Sequence, residues 1–175
     1  MSRNLDALVM SRVFKQKVLG WAPCFRYQDG SGWGVTDRKT PDCVLQPVYA
    51  HANAQPVTRG EKTYFGVSAA WLMVVPHYST EIAVAWQLWD IQIPRGRIEQ
   101  VYPVRLEDDH PEAVGSFGIL RWVVVVTGMT RELEDRRGIL GSTAEQALCK
   151  AALTVSGVPQ RTIDRALAKG DSPSR

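Results

Sequence analysis

Three arginines, one tryptophan and a Tyr-Ser-Thr run carry most of the chemistry this 175-residue sequence has to offer. Arg131, Arg136 and Arg137 stand just ahead of a helix start at Ser142, where guanidinium forks could hold an anion in bidentate fashion. Glu132, Glu134 and Asp135 lie among them, and that mixture equally suits a solvated face. Tyr78-Ser79-Thr80 opens a second helix, and the free amides of a helix N-terminus favour phosphate or carboxylate. Plain capping, with Tyr78 packed on a sheet, explains the same residues. Trp33 sits in the turn-rich Asp29-Gly30-Ser31-Gly32-Trp33-Gly34, where an indole can stack on a base, dock a partner or fold back as a loop anchor. The ligand-binding set read from the sequence is therefore Trp33, Tyr78, Ser79, Thr80, Arg136 and Arg137.

Catalysis has no comparable signal. His51, His77 and His110 stand in no metal-ligand spacing, and nucleophile-elbow, P-loop and dinucleotide-binding motifs are missing. Glu107, Asp108 and Asp109 beside Pro111 read as a solvated turn. Gly30, Gly32 and Gly34 lack the strand before and helix after that a phosphate cradle needs, so they read as a flexible turn. Cys24, Cys43 and Cys149 form no CxxC pair, and Cys149 falls on the apolar side of a helix, as a small buried thiol would. No catalytic residue, metal site or cofactor is expected. The net charge of +3 comes from 21 basic and 18 acidic residues, without the basic excess of a dedicated nucleic-acid binder. No secretory leader and no membrane span is read, which points to a reduced, cytoplasmic protein.

The elements that must position these residues follow from periodicity. Asn4 caps a helix expected over 4–19, with Gly20 as its stop. Residues 22–75 read as a long irregular insert with short strands, one at Val44 to Tyr49, and a hairpin joining Thr63–Val67 to Trp71–Val75 through 66–69. Ser79 caps a helix whose Ile82, Ala85, Trp86 and Trp89 form one stripe, with both tryptophans expected against a sheet. Arg97 to Leu106 alternates like a half-buried strand, whereas Gly118 to Thr127 is apolar at odd and even positions, like a strand covered on both faces. Ser142-Thr143-Ala144-Glu145 reads as a capping box. It opens a helix whose Ala144, Ala147, Leu148, Ala151, Ala152 and Val155 face one side, and the alanines imply close approach. Gly157 ends that helix, Pro159 starts a last one reaching about Lys169, and residues 171–175 form a frayed tail. The fold expected is α+β, a single-domain three-layer α-β-α sandwich over 1–170 with a mainly antiparallel or mixed sheet.

Three segments together resemble the phage ABA-sandwich domain family. These are Lys17-Val18-Leu19-Gly20-Trp21, Pro76-His77-Tyr78-Ser79-Thr80-Glu81-Ile82-Ala83-Val84-Ala85-Trp86, and Thr143-Ala144-Glu145-Gln146-Ala147-Leu148-Cys149-Lys150-Ala151-Ala152-Leu153. Glu81 replaces the family's Asp, and the resemblance covers roughly 4–21 and 76–157. It implies the same layered fold and a phage accessory protein acting inside an infected bacterium.

The residues and the resemblance together lead to a non-enzymatic antagonist of host defence that sequesters a small anionic nucleotide signal. An alternative is an interaction module that binds a host protein, or a second copy of the chain, through residues 22–75. A nuclease or hydrolase whose site is assembled from isolated residues is the third.

Overall fold

A computed structural model describes residues 3–30, 32–36, 41–50, 57–59, 62–64, 72–89, 97–105, 120–127 and 137–168. The expected turns at 66–69 and 107–112, Arg131 and Arg136 of the arginine loop, and the 171–175 tail lie outside them. The chain runs α1 (Arg3–Arg12), β1 (Val18–Arg26), β2 (Trp33–Val35), β3 (Val44–Ala50), β4 (Val57–Arg59), β5 (Lys62–Tyr64), β6 (Leu72–Val74) and α2 (Ile82–Ala85). It continues through β7 (Arg97–Arg105), β8 (Leu120–Thr127), β9 (Arg137–Gly141), α3 (Ala144–Val155) and α4 (Gln160–Ala168).

α1 is shorter than its apolar pattern predicts. Lys15 takes a left-handed φ of 58°, and the Gln16 amide folds back to donate to the Met10 carbonyl at 3.1 Å. A left-handed residue with such a closing bond ends a helix whatever the side chains beyond it prefer. Val18 and Leu19 consequently belong to β1. Gly20, expected to stop the helix, instead sits at a register shift in the β1–β3 pairing with φ +128°, a backbone that glycine tolerates and other residues resist.

Residues 22–75 are far more regular than an insert. They supply most of a four-stranded antiparallel sheet in the order β2-β1-β3-β6, together with the β4–β5 pair. The expected hairpin within 63–75 has its turn outside the described residues; among the described residues β5 pairs with β4 and β6 pairs with β3. Strand type was readable from β-prone residues, but partner choice was not, because pairing is settled by which face each strand can bury. The glycine-rich turn behaves as read. Gly30 has φ +72° and its amide donates to the Tyr27 carbonyl at 2.9 Å, closing the β1–β2 hairpin. Gly34 lies opposite Phe25 in that hairpin, and the Phe25 ring covers the space where a side chain at Gly34 would stand.

The second sheet has the order β7-β8-β9, antiparallel throughout. Val124 and Val126 of β8 are fully buried in the main core beneath α3, whereas Val123 alternates to the other face. α3 is buried around most of its circumference: Ala147, Leu148, Cys149, Ala151, Ala152 and Leu153 are all inaccessible. It packs against β7, β8 and β9, and also against α1, α2 and α4, while α1 packs in turn on β1 and β3. Among the described helices α1 packs on the first sheet, and only α3 packs substantially on the β7-β8-β9 sheet. The α+β class stands, with one core running from Leu5 to Ile163.

The start of α3 shows the capping logic shifted by one residue. Thr143 is the cap, its hydroxyl accepting from the Gln146 amide at 3.2 Å, and Gln146 Oε1 reaches back to the Ser142 amide at 2.8 Å. Cys149 is fully buried, and burial pushes its thiol well above the usual range, so the inert reading of this cysteine stands.

Candidate functional site

The turn Val75-Pro76-His77-Tyr78-Ser79-Thr80-Glu81 connects β6 to α2 and divides two clefts. Its conformation is set internally. The His77 carbonyl accepts from both the Thr80 amide at 3.2 Å and the Glu81 amide at 2.9 Å. The Ser79 amide donates to Asp6 Oδ1 of α1 at 2.7 Å. Asp6 is fully buried, with the Arg3 guanidinium 3.5 Å from its other oxygen. Burial outweighs the Ser79 bond and the Arg3 charge and pushes the Asp6 carboxyl up to about 6.

This arrangement overturns the anion-site reading of Tyr78-Ser79-Thr80. α2 is a single four-residue turn followed by a 3-10 turn at Trp86–Leu88, and its cap position is Glu81, not Ser79. The anion that the Ser79 amide could have bound is already supplied by the chain itself, as Asp6. Tyr78 is a core residue: it is 2% exposed and stacks on Phe14 with ring centroids 5.2 Å apart, its hydroxyl facing Met10 sulfur. The tryptophan stripe also departs from expectation. Ala85 and Leu88 are the buried residues, while Trp86 is 45% exposed and rests on Trp89.

Ser79 and Thr80 line one cleft, of about 390 Å³, with Ser142, Thr143, Glu145 and Gln146 from the start of α3. Two features count against an anion there. Gln146 Oε1 already accepts from both the amide and the hydroxyl of Ser142, and the Glu145 side chain brings a carboxyl group.

The second cleft, of about 340 Å³, is lined by Tyr27, Trp33, residues 72–77, Glu81 and Val84. It forms where β2 and β6, the two edges of the first sheet, approach each other. Trp33 is half-buried in its wall, and the Trp33 and His77 rings lie 5.8 Å apart at 57°. His77 is 7% exposed. Its Nδ1 is 2.9 Å from Glu81 Oε1, and its buried Nε2 has no hydrogen-bond partner among the described residues. Burial lowers the pKa of His77, the positive charges of Arg3 and Arg26 lower it further, and Glu81 acts in the opposite sense. Arg26 lies directly across from Trp33 in the β1–β2 register, so both side chains leave the same face of the sheet.

Of the residues singled out in the sequence, Trp33 is therefore in the aromatic cleft, Ser79 and Thr80 are in the other, and Tyr78 is in the core. Arg137 opens the edge strand β9 and is exposed, while Arg136 lies outside the described residues. Arg26, Tyr27 and His77 were not singled out. A signal for Arg26 existed, because a tight hairpin around Gly30 brings Arg26 opposite Trp33. For His77 none existed, since its neighbours in the cleft come from a distant hairpin.

Among the described residues no group of acidic, histidine and cysteine side chains is arranged to hold a metal ion. No described helix is long and apolar enough to cross a membrane. Family models, curated proteins and solved structures yield no match to the chain.

Proposed function

We propose that this chain is a non-enzymatic binding protein that takes a small anionic nucleotide-type ligand in the Tyr27–Trp33–His77 cleft. The observation that carries the reading is the pairing of Trp33 with a buried imidazole in the wall of that cleft. An indole offers a face for a base, and Arg26 on the same face of the sheet offers a cation for phosphate. Sequestering such a signal in a phage-infected bacterium, and so blunting host defence, accords with the phage accessory protein that the family resemblance implies.

Isothermal titration against cyclic oligonucleotides and ADP-ribose-type signals tests this. Trp33→Ala is expected to weaken binding by roughly 5- to 150-fold, the range of base–aromatic stacking energies of about 1–3 kcal/mol. Arg26→Ala is expected to weaken binding and flatten its dependence on salt. Folded protein that gives neither heat nor a thermal shift with any of these ligands removes the reading.

A second reading, an interaction module, is favoured by one observation. Phe25 of β1 and Leu45 of β3 leave the same face of the first sheet, Leu45 standing across from Pro23, and are 36% and 42% exposed. If they seat a second copy, light scattering shows a dimer that Phe25→Glu combined with Leu45→Glu returns to monomer. A monomer in the unaltered protein at high concentration rules out self-association through this face.

A further inference from the structure

The aromatic cleft carries a carboxylate in its wall, and this narrows the ligand to one kind of nucleotide, an inference that rests on the nucleotide reading above. Glu81 lines the cleft with its side chain 55% exposed, and it is the one acidic residue among the lining residues. Its Oε1 accepts from His77 Nδ1 at 2.9 Å, and among the described residues nothing donates to its Oε2. The His77 ring is buried, so this bond ties the Glu81 side chain to the wall. The same ring lies 5.8 Å from that of Trp33. Two short steps therefore connect the indole to the carboxylate, a span that one nucleoside covers from its base to its own ribose hydroxyls.

A carboxylate in a site for anions demands that the part of the ligand meeting it be neutral and able to donate. Phosphate brings like charge and no proton, and the two repel. Ribose hydroxyls carry no charge and donate, and an O–H bond to a carboxylate is among the stronger hydrogen bonds. We infer that the cleft takes a nucleotide whose ribose keeps its 2′,3′-diol free, with Glu81 accepting from the diol, and rejects nucleotides that carry phosphate on the 3′ oxygen. Acidic side chains hold ribose hydroxyls in the same way in dinucleotide sites. ADP-ribose-type signals present such a diol, whereas the 3′ oxygen of a 3′,5′-linked cyclic oligonucleotide is already a phosphodiester. Stacking on Trp33 tolerates every base, so the indole supplies affinity and Glu81 supplies the choice between these two ligand classes.

The experiment is calorimetric titration of the full chain at neutral pH with AMP, 2′-deoxyAMP, adenosine 3′,5′-bisphosphate, ADP-ribose and 3′,5′-linked cyclic di-AMP. AMP is expected to bind at least about tenfold more tightly than the bisphosphate and about fivefold more tightly than 2′-deoxyAMP. ADP-ribose should likewise bind more tightly than cyclic di-AMP. Glu81→Gln removes the charge and keeps the shape, so it should bring the AMP-to-bisphosphate ratio toward one. Part of that change should be tighter binding of the bisphosphate, a gain that structural damage does not produce. Thermal melts establish that the variant is folded. Equal binding of AMP and the bisphosphate, a preference for the bisphosphate or cyclic di-AMP, or a ratio unchanged in folded Glu81→Gln overturns the inference and leaves the nucleotide-binding reading standing. Binding of none of the five, nor of the other cyclic and ADP-ribose-type signals, overturns both.

Discussion

Replacing Gly141 by alanine is expected to destabilise the fold by about 3 kcal/mol, the upper part of the usual cost of overpacking a core. A Cβ at Gly141 would stand 2.5 Å from the Ala147 amide nitrogen, 2.7 Å from its Cα and 2.8 Å from its Cβ. Two of these are backbone atoms of α3, which is held on several sides and has no side-chain rotamer to yield. Relief therefore requires the helix to move off β9, which would open gaps over Val124 and Val126 beneath it. Since whole domains are stable by only about 5–15 kcal/mol, a loss of this size is a large share of the total. Urea unfolding checks it, with Gly138→Ala in the same strand as the reference. There the nearest atom to a new Cβ is the end of the Val123 side chain at 3.3 Å, and Gly138 is exposed, so the effect should be small. Matching unfolding midpoints for the two variants would show that α3 is not held against β9 as described.

The second large effect is a stability that grows as pH falls, carried by Asp6. Its carboxyl is pushed from 3.8 up to about 6 by burial, so it holds its proton more tightly in the folded chain than in the unfolded one. Between these values the folded state binds more protons, and stability must rise as pH drops through that window. The contribution is fully present below about 3.8, is lost as pH rises through about 6, and amounts to about 3 kcal/mol at most. His77 works in the opposite sense, because its lowered pKa makes the folded state bind fewer protons below 6.5. The unaltered protein alone would thus show a blend, and the comparison with Asp6→Asn isolates the carboxyl. Asparagine keeps an acceptor for the Ser79 amide and cannot ionise. Urea unfolding from pH 4 to pH 8 should give a stability gap that opens in favour of the Asp6→Asn variant as pH rises. Parallel curves for the two proteins would falsify the buried, ionisable role of Asp6. The groups facing Asp6 are Arg3 on its own helix and Ser79, with Tyr78 and the Cys149 thiol near enough to feel its charge.

How much of this was legible differs sharply between the two halves of the chain. α3 and α4 appear at the positions that their alanine stripe, Gly157 and Pro159 indicate, because these signals are local and agree with one another. β7 and β8 are equally plain, one alternating and one continuously apolar. In the first half, local signals pointed the wrong way. The apolar residues that suggested a helix to 19 are shared by the end of α1 and the start of β1, and only the left-handed turn at Lys15 separates them. Ser79, just ahead of an apolar stretch of helical period, has the composition of a cap, yet its amide is spent on Asp6, 73 residues earlier. That bond joins two segments which no local window contains.

The candidate site divides in the same way. Trp33 was readable, because an indole in a glycine-rich turn lacks a local structural reason to be there. Of its partners only Arg26 left a local signal, in the tight turn around Gly30. Arg26 becomes one through hairpin register, His77 through the closing of the first sheet's two edges, and Glu81 through an i, i+4 contact whose meaning depends on where His77 points.

The amino-acid order by itself determined the near-balance of charge, the lack of a CxxC pair, the small-residue face of α3 and the strand-forming stretches, since composition and short-range periodicity suffice for these. Tertiary structure alone decided which strands pair, which hydroxyls cap, and that an aspartate in a first helical turn is buried with its proton held up to about 6. Desolvation and hydrogen-bond partnership are properties of a packed environment, and they arise only when residues far apart in the chain exclude water together. The Trp33–His77 cleft is such a property.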